Sequence, residues 1–397
     1  MDIVEIVSKV DREKLYDHVL KLEGTRHPID NPDKLDYSAD YIHSKFEEYG
    51  LETHDQEFRV QGFDGKFRNI EGALKNADAP ELLIASHYDT VSDCPGADDN
   101  TSAIAIMLEA ARILAQEQDT RNVRFVSFSL EELNPARVLK LRKIEHDLGL
   151  TDDHHRYTSS HTNQLMKQLS EIYDRNYAAG KNPSEAWLET RMQLQEHVGE
   201  SEIKYIKEIE QMNKGITRTS QYGETFDVGS NFWVKESLRA KKKILGVLCY
   251  DTAGYTSEKE HSQTLPKGLD PKMLQTHGVK DITIGNFLAI IGDANSGKLA
   301  QSFCAQSKID SVDLPYACLQ VPFGFEAMAQ GMPDLLRSDH ACFWREAIPG
   351  LFLSDGAEFR NPYYHTQADT IGKLNFDFMA KTCKATIATA LDLTTKH

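Results

Sequence analysis

Residues 82–114 restrict this chain more than any other stretch. The apolar run from Leu82 to Ser86 reads as a strand and ends in His87-Tyr88-Asp89. A turn-rich loop, Cys94-Pro95-Gly96-Ala97, then leads to Asp98-Asp99-Asn100 at the start of an amphipathic helix. In that helix Ile104, Met107, Leu108, Ala111 and Leu114 share one face, which is core packing rather than chemistry. A strand end and a helix start, twelve residues apart, can aim one ligand each at the same point. An imidazole and a carboxylate held that rigidly are what a divalent metal needs. His87 and Asp99 are therefore candidate ligands, and other parts of the chain must complete the set.

The same design recurs along the sequence. A strand from Val123 to Leu130 ends in Glu131-Glu132, and an apolar run from Ile244 ends in Asp251. A last strand, from about Ile348, leads toward Tyr364-His365. Strands buried on both faces and alternating with helices predict an α/β fold, a mostly parallel mixed sheet flanked by helices. Ligands of such sheets collect beyond the carboxyl ends of the strands. His87, Glu131-Glu132 and Asp251 all fall at such ends. Upstream, Leu35, Ala39, Ile42 and Phe46 follow helical spacing up to Gly50, and residues 51–72 read as two strands around a Gly turn.

Between Glu132 and about Asp227 the texture changes to polar segments with charges of both signs and no strand-like runs. Helices are expected from Pro135, around Asn163 to Tyr177, after the Asn182-Pro183-Ser184 cap, and after Ser201, where Ile203, Ile206, Ile209 and Met212 fall three apart. This reads as an inserted α-helical subdomain, residues 133–227, dividing a catalytic domain into 1–132 and 228–397. It would serve either as a lid over the site or as an interface for a homo-oligomer.

The net charge of −16 argues against a nucleic-acid partner, because phosphate binding needs a basic face. The N-terminus has no basic segment followed by an apolar one, and no run approaches the ~20 apolar residues of a membrane span. Six scattered cysteines without a CxxC pair suggest free thiols and a cytoplasmic setting. Cys94 is read as a small loop residue rather than a ligand, since carboxylates already crowd its loop.

Two divalent ions sharing a carboxylate need a His and an acid each, plus a free carboxylate as general base. The chain offers His87, Asp99, Asp251, Glu132, His365 and Glu131 for that set. Adjacent residues at a strand end point in different directions, so one of Glu131 and Glu132 can bind metal while the other handles the proton. Asp89, two residues after His87, can orient its imidazole.

Five motifs now fall into order: His87-x-Asp89, Gly96-Ala97-Asp98-Asp99-Asn100, Glu131-Glu132, Asp251-x-x-Gly254-Tyr255, and Tyr364-His365-Thr366-x-x-Asp369-Thr370. Together with Ser338-Asp339-His340 and Ile348-Pro349 they resemble the zinc aminopeptidase family M28, over roughly residues 10–132 and 228–397. The resemblance implies two zinc ions, one held by His87 and Asp251, the other by Glu132 and His365, with Asp99 bridging. It further implies Glu131 as general base, Tyr364 as oxyanion stabiliser and Asp89 as the partner of His87. In the family the Glu pair runs directly into a Gly-Ser segment, whereas here Gly229-Ser230 comes only after the helical stretch, which leaves substrate size and class open.

The expectation is a two-zinc metallopeptidase acting on peptides, an aminopeptidase first. A carboxypeptidase or amidase, a glutaminyl cyclase-like enzyme, and a non-catalytic scaffold relative are the alternatives. Three other features carry less. Gly292-x4-Gly297-Lys298 mimics a phosphate loop but continues with Leu299 where Ser or Thr is needed. His340 is the main rival to His365 as a ligand. His146, His154, His155 and His161 are expected to be solvated.

Overall fold

The computed structural model describes residues 2–75, 79–117, 120–194 and 198–395. Its strands are β1 (Glu52–Phe58), β2 (Phe67–Ala73), β3 (Glu81–His87), β4 (Val123–Phe128), β5 (Ile244–Tyr250), β6 (Gln275–His277), β7 (Leu288–Gly292), β8 (Tyr316–Gln320) and β9 (Gly350–Ser354). They form one nine-stranded sheet in the order β1-β2-β4-β3-β5-β9-β7-β8-β6. The centre, β4-β3-β5-β9, is parallel. Antiparallel pairing enters toward both edges, β1 with β2 and β2 with β4 on one side, β7 with β9 and β6 with β8 on the other.

The central strands are apolar throughout because both faces are covered. Leu82 and Ile84 of β3, with Val123 and Phe125 of β4, pack into a core shared with the helices Arg12–Leu22, Pro32–Glu48, Ala103–Leu114 and Phe376–Thr394. Leu83 and Ala85 point the other way, with Val126 and Phe128, onto Trp233, Phe343 and Trp344. The helices Val228–Arg239, Phe325–Gly331 and His340–Arg345 cover that second face. Each large side chain buried this way stabilises the fold by roughly 1.5–3 kcal/mol.

Helices occupy Pro135–Asp147, Ser160–Ala178, Pro183–Leu194 and Glu200–Met212. Leu150, Leu165, Leu169, Leu194, Tyr205, Ile206 and Ile209 give them a small core of their own. The chain leaves the sheet after Glu132 and returns beside its point of departure. There Asp227 N donates to Glu131 O at 2.8 Å and Val228 N to Leu130 O at 2.9 Å. The excursion is tied back at a distance by Arg142, whose guanidinium is paired with Asp30, Nη2 to Oδ2 at 2.7 Å.

No helix among the described residues is long and apolar enough to cross a membrane.

Candidate active site

Strand parity sets the first two site residues. His87 continues the Leu83, Ala85 side of β3, and Asp251 follows Val247 and Cys249 of the neighbouring β5. Both therefore emerge at adjacent carboxyl ends on the same face. Glu131-Glu132 follows β4 on the other side of β3. Asp99 arrives on the irregular helical turn Ala97–Ser102 that opens the helix Ala103–Leu114. That turn starts at Gly96, which has φ 61°. A Cβ there would lie 2.3 Å from Asp99 O, 2.4 Å from Thr90 Cγ2 and 2.7 Å from Arg26 Nη2, so only glycine fits.

Asp99 stands between two imidazoles. Its Oδ1 is 3.3 Å from His87 Nε2 and its Oδ2 is 3.0 Å from His365 Nε2. On the first side, Asp251 Oδ1 is 3.7 Å and Glu131 Oε2 3.9 Å from His87 Nε2. On the second, Glu132 Oε2 is 3.3 Å from His365 Nε2. The residues selected from the sequence thus converge on one spot. Tyr364 stacks on His365 with ring centroids 3.8 Å apart. It also lines, with Asp251, a small apolar cavity of about 90 Å³ walled by Leu265, Leu269, Phe287 and Phe352.

His340 is elsewhere. It is wholly buried, stacked on Phe352 at 4.4 Å, and its Nε2 donates to Leu335 O at 2.9 Å. Burial pushes its pKa down to about 4, so it is a neutral core residue. Cys94 is buried with its sulfur 3.9 Å from Asp369 Oδ2. His146, His154, His155 and His161 are exposed.

The cluster is held by residues that touch backbone. Asp89 Oδ1 accepts Glu131 N at 3.1 Å and Oδ2 accepts Glu132 N at 3.2 Å, while its backbone carbonyl lies 3.3 Å from His87 Nδ1. Its carboxylate lies 3.6 Å from His87 Nδ1. Asp89 therefore fixes the Glu pair as well as the imidazole. Asn100 brackets Asp251, donating to Tyr250 O at 2.8 Å and accepting Thr252 N at 3.1 Å. Asp369 accepts Asp98 N at 2.9 Å and Asp99 N at 3.1 Å.

Arg26 has no precedent in the sequence reading. It is fully buried, and its guanidinium donates to the carbonyls of Tyr88, Leu22, Gly24, Pro95, Gly96 and Asp99. One side chain thereby ties the segment after His87 to the loop before Asp99. Nothing in a single sequence marks an arginine whose partners are carbonyls.

The electrostatics favour a cation. Five carboxylates, Asp89, Asp99, Glu131, Glu132 and Asp251, face two imidazoles here, and Asp227 and Asp339 are buried behind them. Burial pushes Glu131 well above the ordinary carboxylate range, and burial with the Asp99 charge pushes Glu132 up to about 7. Burial opposes charge on the imidazoles too, but the carboxylates override it and raise His87 strongly and His365 to about 11. Asp99, although buried, is held low by the two imidazoles. Three atoms at the centre, His87 Nε2, Asp99 Oδ1 and Glu132 Oε1, are buried without a hydrogen-bond partner. Such orphaned atoms are costly unless something completes them. His87, Glu131 and Asp251 form one group able to hold a metal ion, and His87, Asp99 and Glu132 another. Imidazole and carboxylate are ligands that zinc accepts.

Comparison with known proteins agrees with this geometry. The model of peptidase family M28 matches residues 69–281, more than half of the chain. The chain belongs to peptidase family M28. YfbL of Escherichia coli K12, an uncharacterized protein, is 24% identical over 382 residues, covering 93% of this chain and 84% of that protein. Among solved structures, the LapA aminopeptidase of Legionella pneumophila superposes with a TM-score of 0.59 at 16% identity, over 99% of this chain and 75% of its own. The glutaminyl cyclase of Porphyromonas gingivalis does so at 0.54 and 15%, over 97% of this chain and 99% of its own. Both likenesses are of fold.

Proposed function

We propose that this protein is a two-zinc aminopeptidase that releases N-terminal residues from peptides. The observation that carries the reading is Asp99, which offers one carboxylate oxygen to each of two imidazoles at 3.3 and 3.0 Å, with buried unpartnered atoms between them. His87 and Asp251 would hold one zinc, Glu132 and His365 the other, and Asp99 both. Zinc in that position polarises a carbonyl and makes water nucleophilic at neutral pH.

The side chains supply the rest. Glu131 accepts a proton from the attacking water at its carboxylate and delivers it to the leaving amine. Its burial, which raises its proton affinity, suits that two-way transfer. Asp89 is a positioning residue that holds Glu131 and Glu132 by their backbone N–H groups. Tyr364 donates its hydroxyl to the carbonyl oxygen as negative charge develops there. The surplus carboxylates of the cluster suit a free α-ammonium group. The apolar cavity shared by Asp251 and Tyr364 suits an apolar first side chain.

In this reading residues 1–132 and 228–397 are the catalytic domain and 133–227 an inserted helical subdomain. The adjacent exit and return of the chain at Glu131 and Asp227 support that division. The cytoplasmic setting belongs to the same proposal, and cell fractionation checks it.

The test is a panel of aminoacyl, N-blocked and N-glutaminyl peptides, run on the wild type and on Glu131→Gln. Cleavage of free N-termini alone, lost in the variant, is the expected result. Cleavage of blocked peptides only, or cyclisation of the glutaminyl peptide without hydrolysis, would overturn the substrate class.

A further inference from the structure

A second cleft adjoins the apolar cavity. It encloses about 810 Å³, toward the upper end of the ~300–1,000 Å³ of a ligand pocket and room enough for several residues of an extended peptide. The two spaces share Pro266, Asp334, Leu335 and Arg337 in their walls, so they lie side by side. The far wall comes from the helical subdomain, where Tyr173 and Tyr177 of Ser160–Ala178 face the cleft. Their rings stack with centroids 6.0 Å apart, and Tyr173 stacks in turn on Trp187 at 4.5 Å. This wall is rigid, amphipathic and rich in phenol.

We propose that this cleft binds the part of the peptide substrate C-terminal to the scissile bond, making the enzyme selective for oligopeptides over single-residue amides. The inference rests on the aminopeptidase reading, in which the first side chain fills the apolar cavity and the rest of the chain must leave past its rim. Arg337 stands on that rim, half exposed and paired with Glu358, and is a wall of both spaces. Peptide backbone presents alternating donors, acceptors and apolar side chains. Tyrosines match all three at little entropic cost, since each has only two rotatable side-chain bonds. The charged residues of the cleft balance, Lys267 and Arg337 against Asp174 and Asp334, so it selects neither a strongly acidic nor a strongly basic ligand.

Two exposed positions in the cleft wall allow it to be filled without disturbing the zinc-binding cluster. Gly331 ends the helix Phe325–Gly331, and a Cβ added there meets no atom within 4 Å. Ala178 is exposed at the end of its helix. Gly331→Trp and Ala178→Trp are compared with the wild type on a leucyl anilide and on a leucyl hexapeptide. The hexapeptide kcat/KM should fall about tenfold through KM, the loss expected of one or two buried aromatic contacts, while the anilide is unaffected. Equal losses on both substrates, or none on either, would overturn the proposal. A wild type that cleaves neither substrate would sink the aminopeptidase reading instead. The cleft is then read by fluorescence anisotropy of a C-terminally labelled hexapeptide, whose Kd should rise about tenfold in both variants and whose constancy would overturn the proposal.

Discussion

Asp369 Oδ2 accepts the backbone N–H of Asp99 at 3.1 Å, across a separation of 270 residues. The carboxylate proposed to be shared by two metal ions is therefore aimed by a residue close to the end of the chain. Asp369 also accepts Asp98 N at 2.9 Å, and Arg26 donates to the Gly96 and Asp99 carbonyls. A site assembled this way forms only when the whole domain has folded.

Asp99→Asn tests the sharing. An amide keeps the shape but offers a neutral oxygen and a nitrogen that cannot ligate. We expect the variant to lose affinity for both zinc ions together, read by competition with a chromogenic chelator. Loss of one ion with the other retained at wild-type affinity would show that Asp99 serves a single ion.

Glu131→Gln separates proton transfer from metal binding. Removing a positioned general base costs about 10²–10⁴-fold in rate. The variant should show that loss in kcat with its zinc content unchanged by elemental analysis. If zinc is lost in parallel, Glu131 is a ligand, as its 3.9 Å approach to His87 would then signify.

Arg26→Lys tests the buried frame. Lysine keeps the charge but cannot donate to six carbonyls at fixed geometry. Leaving several of these buried acceptors unmet should cost about 3 kcal/mol or more in chemical denaturation. A stability within experimental error of wild type would remove Arg26 from the frame.

Arg142→Ala frees the helix Pro135–Asp147 from Asp30. Both partners are partly exposed, so the stability change should be small, about 1 kcal/mol or less. Local opening should nonetheless show as faster proteolytic cleavage within residues 133–227. Unchanged cleavage would mean that the pair contributes nothing to holding these helices.

His18 makes stability depend on pH. It is buried, its Nδ1 lies 2.8 Å from Tyr41 Oη, and burial, with Lys45, Lys14 and Arg112, pushes its pKa from 6.5 down to about 3. Its folded pKa is depressed, so its contribution is complete above 6.5 and is lost as the pH falls toward 3. At pH 4.5 the loss should be about 3 kcal/mol relative to pH 7.5. Urea denaturation of the wild type and His18→Gln at these two values checks this. The difference between the proteins should shrink at the lower pH, and a constant difference would contradict it.

The site was legible because its chemistry sits at sequence boundaries. His87, Glu131-Glu132 and Asp251 each end an apolar run, and a strand buried on both faces must end where the polar residue begins. The helices within 133–227 were legible for a similar local reason: Pro135 and the segment Asn182-Pro183 mark two of their starts, whereas the helix expected around Asn163 begins earlier, at Ser160, capped by Ser159. The edges of the sheet were not. β6 has only three residues, none buried, and β8 is a five-residue strand with no alternation to mark it. Antiparallel joining of β7 to β9 depends on chain reversal across a stretch that itself contains β8 and several helices, which periodicity does not encode. Arg26 was invisible because its partners are backbone atoms, and the double duty of Asp89 because its second set of partners, the Glu131 and Glu132 amides, is distant in sequence.

Zinc content per chain, measured by elemental analysis after dialysis of the purified protein against trace zinc, shows whether the cluster around Asp99 holds two ions. Two zinc ions per chain are expected. One ion would leave half of the cluster without its proposed purpose, and none would contradict the metal-dependent reading altogether.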